Sequence, residues 1–524
     1  MRSGWIVVLT VMRLAAQANV LTYHNDRART GQNLAETILT QANVNSSTFG
    51  KLFLTAVDGL VDAQPLYVAG VPVPNLGTHN VLIVATEHDS MYALDAGNGT
   101  TLWQTSLLQA GETPSDDRGC GQVTPEIGIT STPVIRLNGA ATGGAIYAVA
   151  MSRDASGTYH QRLHALSLNS GKESLGGPVE IQARFPGTGE NSSGGYVIFD
   201  PAQYKARPGL LLLNGVVYIG WSSHCDHPPY TGWITGYSAS TLAQTSVLNV
   251  TPNGAEGAIW AAGAGLAADA SGNIYFLDGN GTFDTTLNSQ GFPVNGDFGN
   301  AFLKLSTAGN QLAVADYFTM YNTVSESQAD EDLGSGGALV LPPLKDSSGQ
   351  MRRLAIGAGK DGNIYLVDRD NMGKFNPQNN SNVYQELPGA LPNGAWSMPA
   401  YYRGRVYFGG VAGPIVAYQF TNARLSATPV SATTHHFPYP GATPGISANG
   451  STNGILWAVE NSSPAVLHAY PAGNLARELY NTNQAPNGRD QFGPGNKFMT
   501  PTIANGKVYV GTPSGVAAFG LLGP

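Results

Sequence analysis

Gln64-Pro65-Leu66-Tyr67-Val68, Asn80 to Thr86, Ser90 to Leu94 and Thr101-Leu102-Trp103 are four short apolar runs. The last is reached through the turn Asp95-Ala96-Gly97-Asn98-Gly99. Such runs, punctuated by Gly, Asn and Asp, read as an inner strand, two middle strands and an outer strand of one small antiparallel sheet. The unit recurs, with variation, eight times, anchored at Val81-Leu82-Ile83, Ile146-Tyr147, Val217-Tyr218-Ile219, Ile274-Tyr275, Leu354-Ala355-Ile356, Val406-Tyr407, Leu456-Trp457 and Val508-Tyr509. The spacing is too wide for a helical solenoid and suits four-stranded blades carrying loop insertions. A sheet this small cannot bury both faces alone, whereas radial stacking buries them and gathers loops from every unit around one axis. The expectation is all-β: an eight-bladed β-propeller of four-stranded blades forming a single domain over residues 19–524. Inner strands are expected at Ser131 to Ile135, Gly209 to Leu213, Gly263 to Ala267, Gly337 to Leu341, Ser397 to Tyr401, Thr443 to Ser447 and Thr500 to Ile503. The last unit ends at Phe519 with three strands. Phe49-Gly50-Lys51-Leu52-Phe53-Leu54-Thr55, ahead of the first unit, is expected to supply the fourth and close the ring, removing an exposed edge.

Gly and Pro number 66 and 32 of 524 residues, with 42% hydrophobic content and no low-complexity tract. That balance means many turns between short strands, not disorder. Charged residues are 12%, the net charge is −8 and no Lys/Arg cluster occurs, which argues against nucleic acid or an anionic membrane as partner. Arg2, the apolar run Trp5 to Met12 and Ala16-Gln17-Ala18 read as the parts of a signal peptide over residues 1–18. A mature chain beginning near Asn19, and a periplasmic or extracellular location, are expected. No stretch has membrane-spanning length. Cys120 and Cys225 lie in loops of adjacent units. The sequence leaves open whether they are bridged or free.

The long insertions, Glu112 to Ile129, Phe185 to Arg207, Ser222 to Trp233, Asn280 to Gly299 and Thr319 to Gly336, all belong to units two to five, and loops of this length on a rigid scaffold are usually functional. Gly279-Asn280-Gly281, His224-Cys225-Asp226-His227, Asp330-Glu331-Asp332 and Gly359-Lys360-Asp361 carry polar groups with chemical potential. Carbonyls and carboxylates converging from separate loops are what Ca²⁺ requires, and His224 and His227 around Asp226 have the residue types of a transition-metal site. Each stretch is also an ordinary turn, where Asn-Gly and Asp-Gly serve the backbone alone. Trp260, in Ala258-Ile259-Trp260-Ala261-Ala262, is read as opening an inner strand, either as a core aromatic or as a flat platform for a planar ligand.

Gly357 to Asn371, with Ile364-Tyr365-Leu366-Val367-Asp368 at its centre, resembles a blade of the pyrroloquinoline quinone (PQQ)-dependent alcohol dehydrogenases, and Met91 to Trp103 resembles their repeat signature. The resemblance covers most of residues 50–520 in blade order and is sharp in only a few blades. It implies that Lys360 stands against the quinone edge, Trp260 under the ring, Asn280 on Ca²⁺, and Asp332 or Asp330 as catalytic base. Asp226, with His224 beside it, falls where the family has a Ca²⁺-binding Glu, and Cys120-Gly121 replaces the family's Cys-Cys cap over the cofactor. There is no c-type haem motif, so electrons would leave to a separate acceptor. The function implied is oxidation of an alcohol or carbohydrate by a secreted enzyme holding PQQ and Ca²⁺. Two other readings stand beside it. One is a non-redox propeller binding a glycan or protein on its top face. The other is a polysaccharide lyase or hydrolase using His224, Tyr230 and His24.

Overall fold

The computed structural model describes residues 18–139 and 143–523. The apolar run at the N-terminus lies outside them. Among the described residues strands dominate, the one α-helix is Thr323–Ala329, and no helix is long and apolar enough to cross a membrane.

Eight sheets are each built on a four-strand antiparallel meander. The first consists of Leu66–Val73, Gly77–Ala85, Ser90–Asp95 and Thr101–Ser106, in chain order from inside to outside. The inner strands of the other seven are Val134–Leu137, Leu211–Leu213, Ala267–Ala268, Leu339–Val340, Ala400–Tyr402, Gly445–Asn449 and Thr502–Ala504. All but that of the seventh sheet are shorter than the sequence predicts, most so in the fourth and fifth sheets. In the fourth, Gly263 ends a 3₁₀ turn, Ala261–Gly263, in which Ala262 is left-handed (φ 48°). Trp260 therefore caps a turn and opens no strand.

Middle strands are buried on both faces: Val81, Leu82, Ile83 and Val84 in succession are at most 1% exposed. This is why the second strand of each unit reads as a continuous apolar run rather than an alternating one. The large apolar clusters lie between consecutive sheets. One joins Val217, Ile219 and Trp233 of the third to Val149 and Leu163 of the second, and another joins Tyr509 and Val516 of the eighth to Ile83 and Leu94 of the first. Phe49–Ala56 pairs antiparallel with Gly515–Leu521, from Phe49 opposite Leu521 to Ala56 opposite Gly515, and so stands as the fourth strand of the eighth sheet.

The segment from Val20 to Asn33 touches all eight sheets at their inner edges. Val20 exchanges both backbone hydrogen bonds with Tyr67, and the carbonyls of Leu21, Arg27, Ala28, Thr30 and Gly31 accept from the amides of Ile135, Ala268, Val340, Tyr401 and Ile446. Arg29 Nη2 donates to the Leu210 carbonyl (3.2 Å), and Asn33 Nδ2 to that of Ile503 (3.0 Å). Inner strands present unpaired backbone groups toward the axis, and one winding segment, turned by left-handed His24, Asn25 and Arg29, satisfies them. His24 is packed inside this segment, with Nδ1 2.8 Å from the Arg29 carbonyl and Nε2 2.9 Å from that of Pro444. A Cβ on Gly31 (φ 67°) would lie 2.2 Å from the imidazole, so that position needs glycine. At 1% exposed, His24 is not on an accessible axial face, which removes it from the lyase reading.

Candidate functional site

Second strands of successive sheets run in the same direction, so the residues that follow them emerge on one side of the molecule. Asp226 follows Val216–Gly220 of the third sheet, Asn280 follows Ile274–Leu277 of the fourth, and Lys360 follows Leu354–Ala358 of the fifth. Trp260 and Asp332 come from the connections that enter the fourth and fifth sheets. These five line one cavity, together with Arg207, Gln122, Ser335, Trp396, Tyr439 and Phe498.

Backbone contacts hold the loops in place. The Gly279 amide donates to the Ala258 carbonyl (2.8 Å), the Lys360 amide to that of Asp332 (2.9 Å), and the Ala395 amide to that of Gly359 (2.9 Å). A Cβ on Gly334 would lie 2.5 Å from the Gly279 backbone, so the loop carrying Asp332 reaches the Asn280 loop only because no side chain intervenes.

Asp332 is 2% exposed and Lys360 extends onto it, Nζ lying 2.7 Å from Oδ1. Asp330, two-thirds exposed, stands at the rim outside the lining. Its Oδ1 accepts from both Lys360 Nζ and Asn280 Nδ2, the latter at 2.7 Å. Burial holds the Asp332 carboxyl above the usual carboxylate range, and the Lys360 charge only partly offsets this. Burial also disfavours the Lys360 charge, but Asp332 and Asp330 outweigh it and hold the ammonium above the usual lysine range. The two directions pull opposite ways on one pair. The firmer is the ammonium, which has two carboxylates against the single cation of Asp332. Asn280 Oδ1 is buried without a hydrogen-bond partner, and Asp332 Oδ1 meets Lys360 outside hydrogen-bond geometry. Two oxygens with unused acceptor capacity in one cavity are the donor type a hard cation takes. Asp226, the third candidate, is engaged by the Tyr230 hydroxyl at 2.7 Å.

Two further buried cations stand by the aromatic residues, Arg207 in the lining and Lys205 outside it. Lys205 Nζ lies 5.7 Å from the centre of the Trp260 ring, and burial lowers its ammonium to about 8. Arg207 pairs with Asp62 at 3.6 Å, and its guanidinium lies 4.8 Å from the centre of the Phe498 ring. The cavity is thus lined by two carboxylates, an amide oxygen, the cations of Lys360 and Arg207, and indoles at Trp260 and Trp396. The cavity is small, about 70 Å³, against roughly 300–1,000 Å³ for small-molecule sites. A three-ring quinone therefore enters only by displacing rim side chains. A larger open depression, about 470 Å³, surrounds Tyr402, Arg403 and Arg405 of the sixth sheet. Hydrogen bonds from these three side chains go to the backbone carbonyls of Gly450, Ser451, Ala472 and Gly473 and to Gln419 Oε1, and no carboxylate lines the depression.

Cys120 and Cys225 form a disulfide, so Cys120 is bonded to the third sheet's loop; it is not among the lining residues, whereas Gln122, two positions on, is. His224 is 3% exposed and absent from the lining, with Nε2 3.3 Å from the Tyr204 carbonyl. Burial, then the charges of Lys205 and Arg118, lowers its imidazole to about 3. Replacing both cysteines by Ser is expected to cost about 2–4 kcal/mol, because the bridge closes a loop spanning 105 residues. Urea unfolding of the double variant against the oxidised protein checks this; unchanged stability would show that the loops are held by packing alone.

No family model matches the sequence, and no curated protein matches it. Solved structures do. A quinohemoprotein alcohol dehydrogenase from Comamonas testosteroni superposes over 97% of this chain and 81% of its own, with a TM-score of 0.63 and 14% identity. A quinohemoprotein alcohol dehydrogenase from Pseudomonas putida HK5 covers 96% and 80%, with a TM-score of 0.61 and 14% identity. A europium-containing methanol dehydrogenase covers 95% and 90%, with a TM-score of 0.63 and 13% identity. The chain has the propeller fold of these dehydrogenases. At such identity the likeness concerns the fold, and the chemistry has to be argued from the residues.

Proposed function

We propose that this chain is a quinoprotein oxidoreductase, oxidising an alcohol or carbohydrate with PQQ and a divalent cation, Ca²⁺ by the hardness of the donors. Its eight sheets are read as eight blades of one ring, closed by Phe49–Ala56 and occupying residues 19–524. The observation that supports the enzyme reading is the convergence of Lys360, Trp260, Asn280, Asp226 and Asp332, from three connected sheets, on one cavity.

Bound there, PQQ would supply a two-electron acceptor, and a cation beside it would polarise the quinone. Asn280 Oδ1, Asp332 and Asp226 are the oxygens that would hold the cation. Trp260 gives a flat apolar face, while Arg207 matches a carboxylate of the kind PQQ carries. Lys360 places a positive charge next to Asp332. Asp332, buried and two residues from the exposed Asp330, is the group suited to accept the hydroxyl proton of the substrate at its carboxylate. Asp330 holds Lys360 and Asn280 from the rim. The disulfide fits an oxidising compartment, in keeping with export to the periplasm or beyond.

Reconstitution with PQQ and Ca²⁺ tests this reading. The expected result is a bound quinone absorbance band and alcohol-dependent reduction of an artificial electron acceptor. No band at saturating PQQ and Ca²⁺ would overturn it in favour of a non-redox propeller.

A further inference from the structure

Outside this cavity, His435, Glu460 and His468 bring one ligand atom each to within 4.8 Å of one another. Glu460 ends the second strand of the seventh sheet, Thr452–Glu460, in the same position within its sheet that precedes Asp226, Asn280 and Lys360 in theirs. His468 lies in the next strand, Val466–Pro471, and His435 in the loop entering that sheet. His435 Nε2 is 2.9 Å and His468 Nε2 3.3 Å from the same oxygen, Glu460 Oε2. Ligands around a tetrahedral Zn²⁺, with bonds of about 2.0–2.1 Å, stand roughly 3.3 Å apart.

Two further observations point to a ligand rather than to a plain ion-pair network. His468, 3% exposed, has a carboxylate at each ring nitrogen: Glu478 Oε1 2.7 Å from Nδ1, and Glu460 at Nε2. Glu478 and the Tyr470 hydroxyl (3.2 Å) hold the ring at Nδ1, which leaves Nε2 facing the Glu460 carboxylate, the outer-sphere arrangement of carboxylate–histidine–metal triads. His435 Nε2, beside the same oxygen, is buried without a hydrogen bond of acceptable geometry.

We infer that His435, Glu460 and His468 form a binding site for a divalent transition-metal ion of the Zn²⁺ type, oriented by Glu478. Two imidazoles and one carboxylate favour such an ion over Ca²⁺ or Mg²⁺. The site fastens the loop that contains His435 to the seventh sheet. Tyr439 of that loop lines the cavity, so the ion would steady one wall of it. His435, 37% exposed, leaves a route of entry. The inference does not depend on the redox reading.

Titrating chelator-treated full-length protein with Co²⁺, followed by visible ligand-field absorbance, tests it, with Zn²⁺ as competitor. One equivalent is expected to bind. Binding should be lost in His468→Ala and His435→Ala, weakened about 10–100-fold in Glu478→Gln, and kept in Asp332→Asn. Far-ultraviolet circular dichroism identifies any variant that fails to fold, and His435→Gln, at the exposed ligand, then serves in its place. Absence of Co²⁺ and Zn²⁺ binding at micromolar concentration, or binding indifferent to both histidines, would overturn the site and leave a protonated His468 between two carboxylates.

Discussion

Replacing Asp332 by Asn is expected to lower turnover about 10²–10⁴-fold, the usual contribution of a positioned proton acceptor, while PQQ still binds. The pH profile separates this role from a structural one. Because burial raises the Asp332 carboxyl, the acidic limb of kcat/KM should fall off above the ordinary aspartate value of about 3.9. Lys360 pulls that carboxyl down, so Lys360→Met removes a stabilising charge from the carboxylate and must move the acidic limb to higher pH. The sign follows from the charge: a base that loses a neighbouring cation holds its proton to higher pH. Replacing Trp260 by Ala should in addition abolish PQQ binding without unfolding the protein. A limb that stays put or moves down in Lys360→Met, or an Asp332→Asn enzyme within a few-fold of normal, would remove Asp332 from the chemistry.

The sequence made the repeat legible because the second strand of each sheet is covered on both faces, and a strand with no exposed face writes itself as an uninterrupted apolar run such as Val81 to Val84. Inner strands were harder to read. Residues 263–267 look strand-like, yet the pairing is confined to Ala267–Ala268 and a left-handed Ala262 turns the chain ahead of it. The site was legible in part. Lys360, Asn280, Asp226, Trp260 and Asp332 stand in motifs that can be placed by unit. Arg207 and Lys205 lie at the end of a long insertion whose two basic residues carry no local pattern, and they become visible only when the fold sets them beside Trp260 and Phe498. Trp396, Tyr439 and Phe498 arrive from the sixth to eighth units, where the sequence offers no insertion to draw notice. His435, Glu460 and His468 share no motif, since their spacing becomes meaningful only once a hairpin and a loop are folded together. The segment before the first unit was invisible for a related reason. Its backbone makes the contacts, and backbone hydrogen bonding leaves little mark on side-chain type.

That segment carries the largest stability effect. A chain lacking residues 19–33 is expected not to reach the native state, because the inner edges of all eight sheets would lose a backbone or side-chain partner at once. A milder variant isolates the central contact. Arg29 is completely buried, and burial lowers its guanidinium to about 10, so it remains charged at neutral pH. Its nitrogens donate to the Leu266 carbonyl (2.9 Å), the Tyr23 carbonyl (2.7 Å), Thr22 Oγ1 (2.7 Å) and the Leu210 carbonyl (3.2 Å), tying the third and fourth sheets to the axial segment. Arg29→Met keeps most of the side-chain length but leaves those carbonyls unmatched in a dry interior. A loss of about 3–5 kcal/mol follows. Urea unfolding at neutral pH measures it. A change below about 1 kcal/mol would mean that water or neighbouring amides satisfy the same carbonyls, and that the axial segment lies against the sheets without holding them together.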